Sequence, residues 1–406
     1  MRLRARTKLD VSNSVREIYE KLPYPTVGKT ARLGRAWRIA PMEWIEAVWH
    51  PRRPAPRRIL VAGCGTGNEA FAFRLRFPNA EITGVDFSSR SINMARKLQK
   101  RFSQPEKIRF LRGNLIDQRL SKIVSREFDF VSCHGVLSYI PRPERVLRNL
   151  ADCMTPNGAL YLGVNGVGHF SQKWRKSLPE FGINLNKFED GSHLRQILKL
   201  HDALSGNRIG AIANQRPEYL ASDLFGPMIS NRSLAHWTAL CRRSGLYFLG
   251  SYMAHRSLRQ ALNNDLYDLF IPRSRAEVHE VAEQIAPSSF HHLVFARTPE
   301  TNLPWLAPGM LKHCRVSATK VYTQRWPKRT NSWKALRHIT VRSKSTNTLV
   351  DLRLPEWVIE ILRKSDGEKT VNEISGEALP GISAQSLRKH LYLLYLLALI
   401  NLHPPQ

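Results

Sequence analysis

Three glycines at alternating positions, Gly63, Gly65 and Gly67, follow the apolar run Ile59-Leu-Val-Ala62, and Asp86 stands 19 positions beyond the last of them. After a buried strand, closely spaced glycines let the backbone approach a bulky ligand and open the next helix at its N-terminus. An acid about 20 residues on, at the end of a second strand, accepts hydrogen bonds from ribose hydroxyls. The pattern therefore points to a bound nucleoside. A nicotinamide or flavin fingerprint needs GxGxxG, whereas here the spacing is GxGxG and Asn68 holds the place of the third glycine. Gly28-Lys-Thr30 ends like a phosphate-binding loop, but Pro23 stands where its first glycine belongs and no strand precedes it.

Further along, the loop His134-Gly-Val-Leu-Ser-Tyr-Ile-Pro141 offers His134, whose ordinary titration range lies near neutrality, and Tyr139. His134 either moves a proton or packs against the ligand. Tyr139 either donates to an acceptor oxygen or walls the pocket. Tyr24, between two prolines, is a lid or a hinge, and Asn165 and His169 are weaker candidates. Cys64 lies inside the glycine turn, whereas a covalent nucleophile is expected after the fourth strand, and Cys133, near that position, lacks the Pro-Cys context. His279-Glu280 starts like a zinc-binding motif, but Glu283 holds the place of its second histidine, so no metal is expected.

The elements that must position these groups follow from hydrophobic period. Strands are expected at 59–62, 81–85, 108–111, 128–132 and 159–164, with helices at 68–77, 88–102 and 143–153 between them. That alternation makes a mainly parallel sheet covered on both faces. A helix at 233–243 and strands at 246–250 and 291–296 would finish a seven-stranded, doubly wound α/β sheet. Upstream, Ser14-Val-Arg-Glu17 reads as a capping box opening a short helix that Pro23 ends. Residues 41–49 read as an amphipathic helix with Trp44, Ile45, Val48 and Trp49 on one face. Residues 167–230 show no sustained period and read as an insertion.

With these residues in place, residues 14–300 resemble the class I S-adenosylmethionine methyltransferases, in particular bacterial members with a Tyr-Pro segment before the domain. The likeness rests on Leu60-Val-Ala-Gly-Cys-Gly-Thr-Gly67, Gly113-Asn-Leu115, Phe128-Asp-Phe-Val-Ser-Cys-His-Gly-Val-Leu-Ser-Tyr-Ile-Pro141 and Met154-Thr-Pro-Asn-Gly158. It implies S-adenosyl-L-methionine as cofactor. Gly63, Gly65, Thr66 and Gly67 would face its methionine part, Asp86 the ribose, and Phe87, Asn114 and Leu115 the adenine. His134 and Gly135 would line the floor. Two departures stand out: Val61 replaces the acid usual at the end of the first strand, and Asn114 replaces an Asp. The resemblance implies methyl transfer to an acceptor that is a small molecule or a protein or peptide group. RNA methylation and a non-catalytic cofactor-binding adaptor are the rival readings.

The chain has 406 residues and a net charge of +29, which attracts polyanions and leaves nucleic acid open as a partner. Four parts are expected: a basic arm and lid at 1–57, the methyltransferase domain at 58–300, a basic linker at 301–347 and a winged-helix-like module at 348–406. The linker carries 10 basic residues and no acidic one, with Trp326 and Trp333 among them. The module resembles small peptide-recognition domains of the PqqD type. With 6 basic and 7 acidic residues it suits a protein or peptide contact better than DNA. Five scattered cysteines fit a reducing cytoplasm, and no membrane span is expected.

Overall fold

A computed structural model describes residues 8–25, 40–49, 55–102, 108–117, 120–124, 127–184, 192–204, 220, 223–224, 228–261, 273–299, 309–319, 322–324, 339–343, 349–352, 356–378, 381–403 and 405. The chain divides into two compact units. One comprises Met1–Ile39, Ala55–Gly245 and Ser288–His291; the other comprises Ala40–Pro54, Leu246–Pro287 and His292–Gln406.

The first unit opens with helix α1 (Lys8–Lys21). It begins six residues before the expected capping box, so Ser14 lies inside the helix rather than at its start. Five strands follow: β1 (Arg58–Ala62), β2 (Glu81–Asp86), β3 (Ile108–Arg112), β4 (Phe128–His134) and β5 (Met154–Asn165). Strand β1 pairs in parallel with β2 and β4, β2 with β3, and β4 with β5. Ile59, Leu60, Val61 and Ala62 are all buried, as a strand covered on both faces requires.

Helices α3 (Asn68–Arg76), α4 (Ser89–Arg101), α5 (Leu120–Val124) and α6 (Pro143–Asp152) connect the strands. Phe71 of α3 meets the edges of Phe102 and Phe110 at 5.3 and 5.7 Å, and Phe73 meets Phe130 at 5.6 Å. Such edge contacts add to the burial of the rings. Ser88 caps α4 by accepting the Ser91 N–H.

The insertion folds as α7 (Ser171–Ser177), a 3-10 turn at Leu178–Phe181 and α8 (Ser192–Leu204). Its own core holds Trp174, Leu178, Ile183, Ile197, Leu198, Leu220 and Leu224. Helix α8 buries Ile197 and Leu198 yet exposes Leu200 and Leu204, which hides its period in the sequence. Helix α9 (Leu234–Arg242), capped by Ser233, follows.

In the second unit, α2 (Met42–Trp49) is buried almost all round, not along one face. Trp44 packs within ring contact of Tyr252, His255 and His279. Strands β6 (Tyr247–Ser251) and β7 (Phe290–Ala296) pair antiparallel and flank α10 (Tyr252–Ala261) and α11 (Arg275–Ile285) in sequence. The complete seven-stranded sheet has the order β3-β2-β1-β4-β5-β7-β6.

Residues 315–318, expected within a linker, form β8, the middle strand of a three-stranded antiparallel sheet. Its neighbours are β12 (Asp366–Thr370) and β13 (Ile400–His403). A second three-stranded sheet contains β9 (Tyr322–Gln324), β10 (Ile339–Ser343) and β11 (Leu349–Leu352). Helices α12 (Glu356–Lys364), α13 (Val371–Ala378) and α14 (Ala384–Leu396) complete the chain. Among the described residues, no helix is long and apolar enough to cross a membrane.

Candidate active site at the ends of the parallel strands

The site lies in the first unit, where β1, β2 and β4 end. Gly63, Gly65 and Gly67 all have positive φ (74°, 51° and 89°), a backbone region that residues with a Cβ rarely adopt. The turn starts where Gly63 and Cys64 both donate to the Val85 carbonyl, and Gly67 caps α3. A Cβ at Gly65 would strike the Tyr24 carbonyl, and one at Gly63 would strike Val136. Thr66 is fully buried; its N–H donates to the Tyr24 carbonyl at 3.2 Å and its Oγ1 to the Pro25 carbonyl.

Asp86 closes β2. Its Oδ2 accepts the Gly65 N–H and its Oδ1 the Ser88 N–H, both at 2.9 Å. Burial pushes its carboxyl up to about 6 against the pull of the Ser88 and Gly65 amides, and the nearby Glu20 carboxylate pushes the same way as burial. The Phe87 amide bonds the same carboxylate, which leaves an acceptor site for a ribose hydroxyl.

Phe87 is half-buried against Tyr19, with ring centroids 6.0 Å apart. Asn114 is exposed and its Oδ1 accepts the Ile116 N–H at 3.1 Å, while Leu115 is buried. Gly135 has φ +68° and nothing within 4 Å of where a Cβ would stand, leaving open room beside it. These features fit a nucleoside with an amino-acid tail.

The loop after β4 divides the remaining candidates. The His134 ring lies over Gly163, stacks with Tyr161 and places Nδ1 3.0 Å from the Tyr161 hydroxyl. Tyr139 donates its phenol proton to Asp223, a 3 % exposed carboxylate from the insertion. The Asn165 side chain also bonds that phenol. Burial, then the Asp223 charge, holds the Tyr139 pKa well above the usual phenol range. Asn165 Oδ1 is buried with no partner among the described residues. His169, buried nearby in sequence, bonds Ser171 at 2.8 Å, and burial lowers its imidazole to about 4.

Cys64 and Cys133 are buried, and burial drives both thiols up, which opposes a thiolate nucleophile. Among the described residues no group of His, Cys, Asp and Glu is arranged to hold a metal.

Sequence reasoning missed Asp223, Tyr19, Glu20 and Glu69. Glu69 follows the glycine turn in the first turn of α3, a position its sequence does signal. The other three gain their places through contacts distant in sequence.

Residues 60–160 match a family model described as a methyltransferase domain. An uncharacterized protein of Synechococcus sp. is 27% identical over 326 residues, covering 75% of this chain and 76% of that protein. The malonyl-[acyl-carrier protein] O-methyltransferase of Halalkalibacterium halodurans is 28% identical over 115 residues, 28% of this chain and 41% of that enzyme. PKMT2 from Rickettsia typhi, solved in complex with AdoHcy, superposes with a TM-score of 0.56 at 15% identity, covering 90% of this chain and 75% of that one.

The last likeness shows the fold, a class I methyltransferase sheet. The domain match and the curated methyltransferase relatives show the activity. The chain is an S-adenosylmethionine-dependent methyltransferase whose acceptor is unidentified.

Proposed function

We propose that Gly63, Gly65, Thr66 and Gly67 hold the methionine part of S-adenosylmethionine, Asp86 its ribose, and Phe87, Asn114 and Leu115 its adenine, with Gly135 on the floor. The observation that carries this reading is Asp86, fixed by the Gly65 and Ser88 amides beside the glycine turn. When bound, the cofactor supplies a methyl group on a sulfonium.

The protein's part is mainly to orient an acceptor toward that group, because proximity and orientation supply much of the rate in such displacements. The Tyr139 hydroxyl donates a hydrogen bond to Asp223 and the Asn165 side chain bonds the same phenol, so its oxygen keeps one lone pair. It receives an O–H or N–H of a small molecule or of a protein or peptide group. His134, engaged by Tyr161, walls the pocket, and Tyr24 serves as lid through its backbone. Incubation with labelled cofactor and fractionated cell extract tests the reading. A labelled fraction that depends on Tyr139 and Asp223 supports it, and turnover of any kind removes the adaptor alternative.

A second reading takes RNA as acceptor. Exposed Arg90 and Arg142 follow β2 and β4, and exposed Arg112 ends β3. Binding that falls log-linearly with salt would favour it. Trp326 and Trp333 lie outside the described residues.

The module at 348–406 is read as a PqqD-like winged-helix element that docks a protein or peptide. In support, three helices accompany an antiparallel sheet whose middle strand is β8. The five buried free cysteines suit a reducing cytoplasm.

A further inference from the structure

Residues 19–25 cross the first unit directly over the cofactor turn, held by contacts that reach 41 to 70 residues along the chain. At one end, Glu20 accepts the N–H groups of Ser89 and Arg90 at 2.7 and 3.1 Å, so its carboxylate sits on the N-terminus of α4. The Arg90 guanidinium reaches back to the carbonyls of Glu20 and Lys21 at 3.1 and 3.0 Å. Ser88 Oγ donates to the Tyr19 carbonyl at 3.4 Å. At the other end, Thr66 bonds the Tyr24 and Pro25 carbonyls from the glycine turn itself. Between them, the Tyr19 ring meets Phe87 at a tilt, with centroids 6.0 Å apart. Charge-assisted bonds of this kind are the stronger ones, and an anion on a helix N-terminus adds to them.

This strap encloses the groups assigned to the cofactor. Asp86 is 8% exposed, while Thr66 and Ser88 are fully buried. The Tyr24 carbonyl stands where a Cβ of Gly65 would be, so the strap lies against the turn along which a ligand bonding Asp86 would run. We propose that residues 19–25 are a latch on the cofactor site, with Glu20 and Arg90 as its positioning residues. Entry of S-adenosylmethionine and release of S-adenosylhomocysteine then require the Glu20–Arg90 end to open. The proposal rests on the cofactor reading above. It adds that exchange of the cofactor is gated from α4, a helix that the glycine motif does not include.

Gating differs from simple weakening of a site. Loosening a gate speeds entry and exit together, whereas loss of a binding contact speeds exit alone.

The test is stopped-flow binding of S-adenosylhomocysteine to the full chain and to Arg90→Ala, Arg90→Lys and Glu20→Gln. Arg90→Ala is expected to raise both the association and dissociation rates about tenfold, with affinity within about threefold, since two bonds to the strap carbonyls are lost. Arg90→Lys, which keeps a donor, is expected to recover part of the slow exchange, and Glu20→Gln to fall between. Hydrogen exchange at the Thr66 amide is expected to quicken in Arg90→Ala while the melting temperature holds.

Unchanged rates in Arg90→Ala and Glu20→Gln, with the ligand still bound, would overturn the latch and leave the cofactor site standing. Faster dissociation at unchanged association would also overturn it, by making Arg90 an ordinary support. Failure of the wild-type chain to bind S-adenosylhomocysteine would remove the latch and the cofactor reading together.

Discussion

Ser132 donates its hydroxyl to Oε2 of Glu69 at 2.8 Å, and Oε1 of the same carboxylate is buried with no partner among the described residues. Val61 pairs with Ser132 in the sheet register, so the acid missing from the end of β1 has a carboxyl neighbour rooted in α3.

Burial pushes the Glu69 carboxyl up to about 7, against the pull of Ser132. The folded protein therefore holds the Glu69 proton more tightly than the unfolded chain. The stability this contributes is complete below about 4.5 and is lost as pH rises through about 7. The loss is on the order of 3 kcal/mol at most. Glu69→Gln cannot ionise. It is expected to melt about 2–5 °C above wild type at pH 8.5 and to show no gain at pH 4.5. Melting curves across that range check it, and equal pH slopes for the two proteins would place the titration elsewhere.

Gly65 and Gly135 both need positive φ, but only Gly65 lies against backbone. Gly135→Ala is expected to cost about 1 kcal/mol, the strain of a Cβ in that conformation. Gly65→Ala adds a collision with the Tyr24 carbonyl and is expected to cost at least 1 kcal/mol more, because backbone must move. Denaturant unfolding of the two variants measures the difference, and equal losses would mean that residues 24–25 do not rest on the turn.

Tyr139→Phe removes the donor to Asp223, and Asp223→Asn removes the charge. Either is expected to lower methyl transfer to the labelled extract fraction about tenfold or more, while S-adenosylhomocysteine affinity stays within about twofold. Full labelling by both variants would move the acceptor away from this pair.

In the second unit, the Arg275 guanidinium lies 3.9 Å over the Tyr395 ring and donates to the Tyr395 carbonyl at 2.9 Å. Tyr392 bonds the backbone of Arg273 in both directions at 2.9 Å. Helix α14 is thus fastened to the start of α11. Tyr395→Ala is expected to destabilise the chain by about 2 kcal/mol or more, through lost burial and lost cation–π attraction. Differential scanning calorimetry reads the loss, and an unchanged unfolding profile would show that this contact carries little.

Much of the first unit was legible because its signals are local. An apolar run, a glycine turn and an acid at fixed spacing specify β1, the start of α3 and the end of β2. The strap was not legible, since Glu20, Tyr24 and Pro25 act on residues 41 to 70 positions away and no periodicity encodes such pairing. The same holds for β8, which pairs with β13 some 80 residues later; a basic composition concealed the central strand of that sheet. Asp223 comes from the insertion and reaches Tyr139 across 84 residues, so nothing nearby marked it as that residue's partner.

The proposed cofactor site consists of Asp86 and the glycine turn. Isothermal titration of S-adenosylhomocysteine into wild type and Asp86→Ala tests it most directly. One site per chain is expected, with an affinity about 10- to 100-fold weaker in the variant, as loss of charge-assisted bonds to a ribose requires. Equal affinity in the two proteins would contradict it.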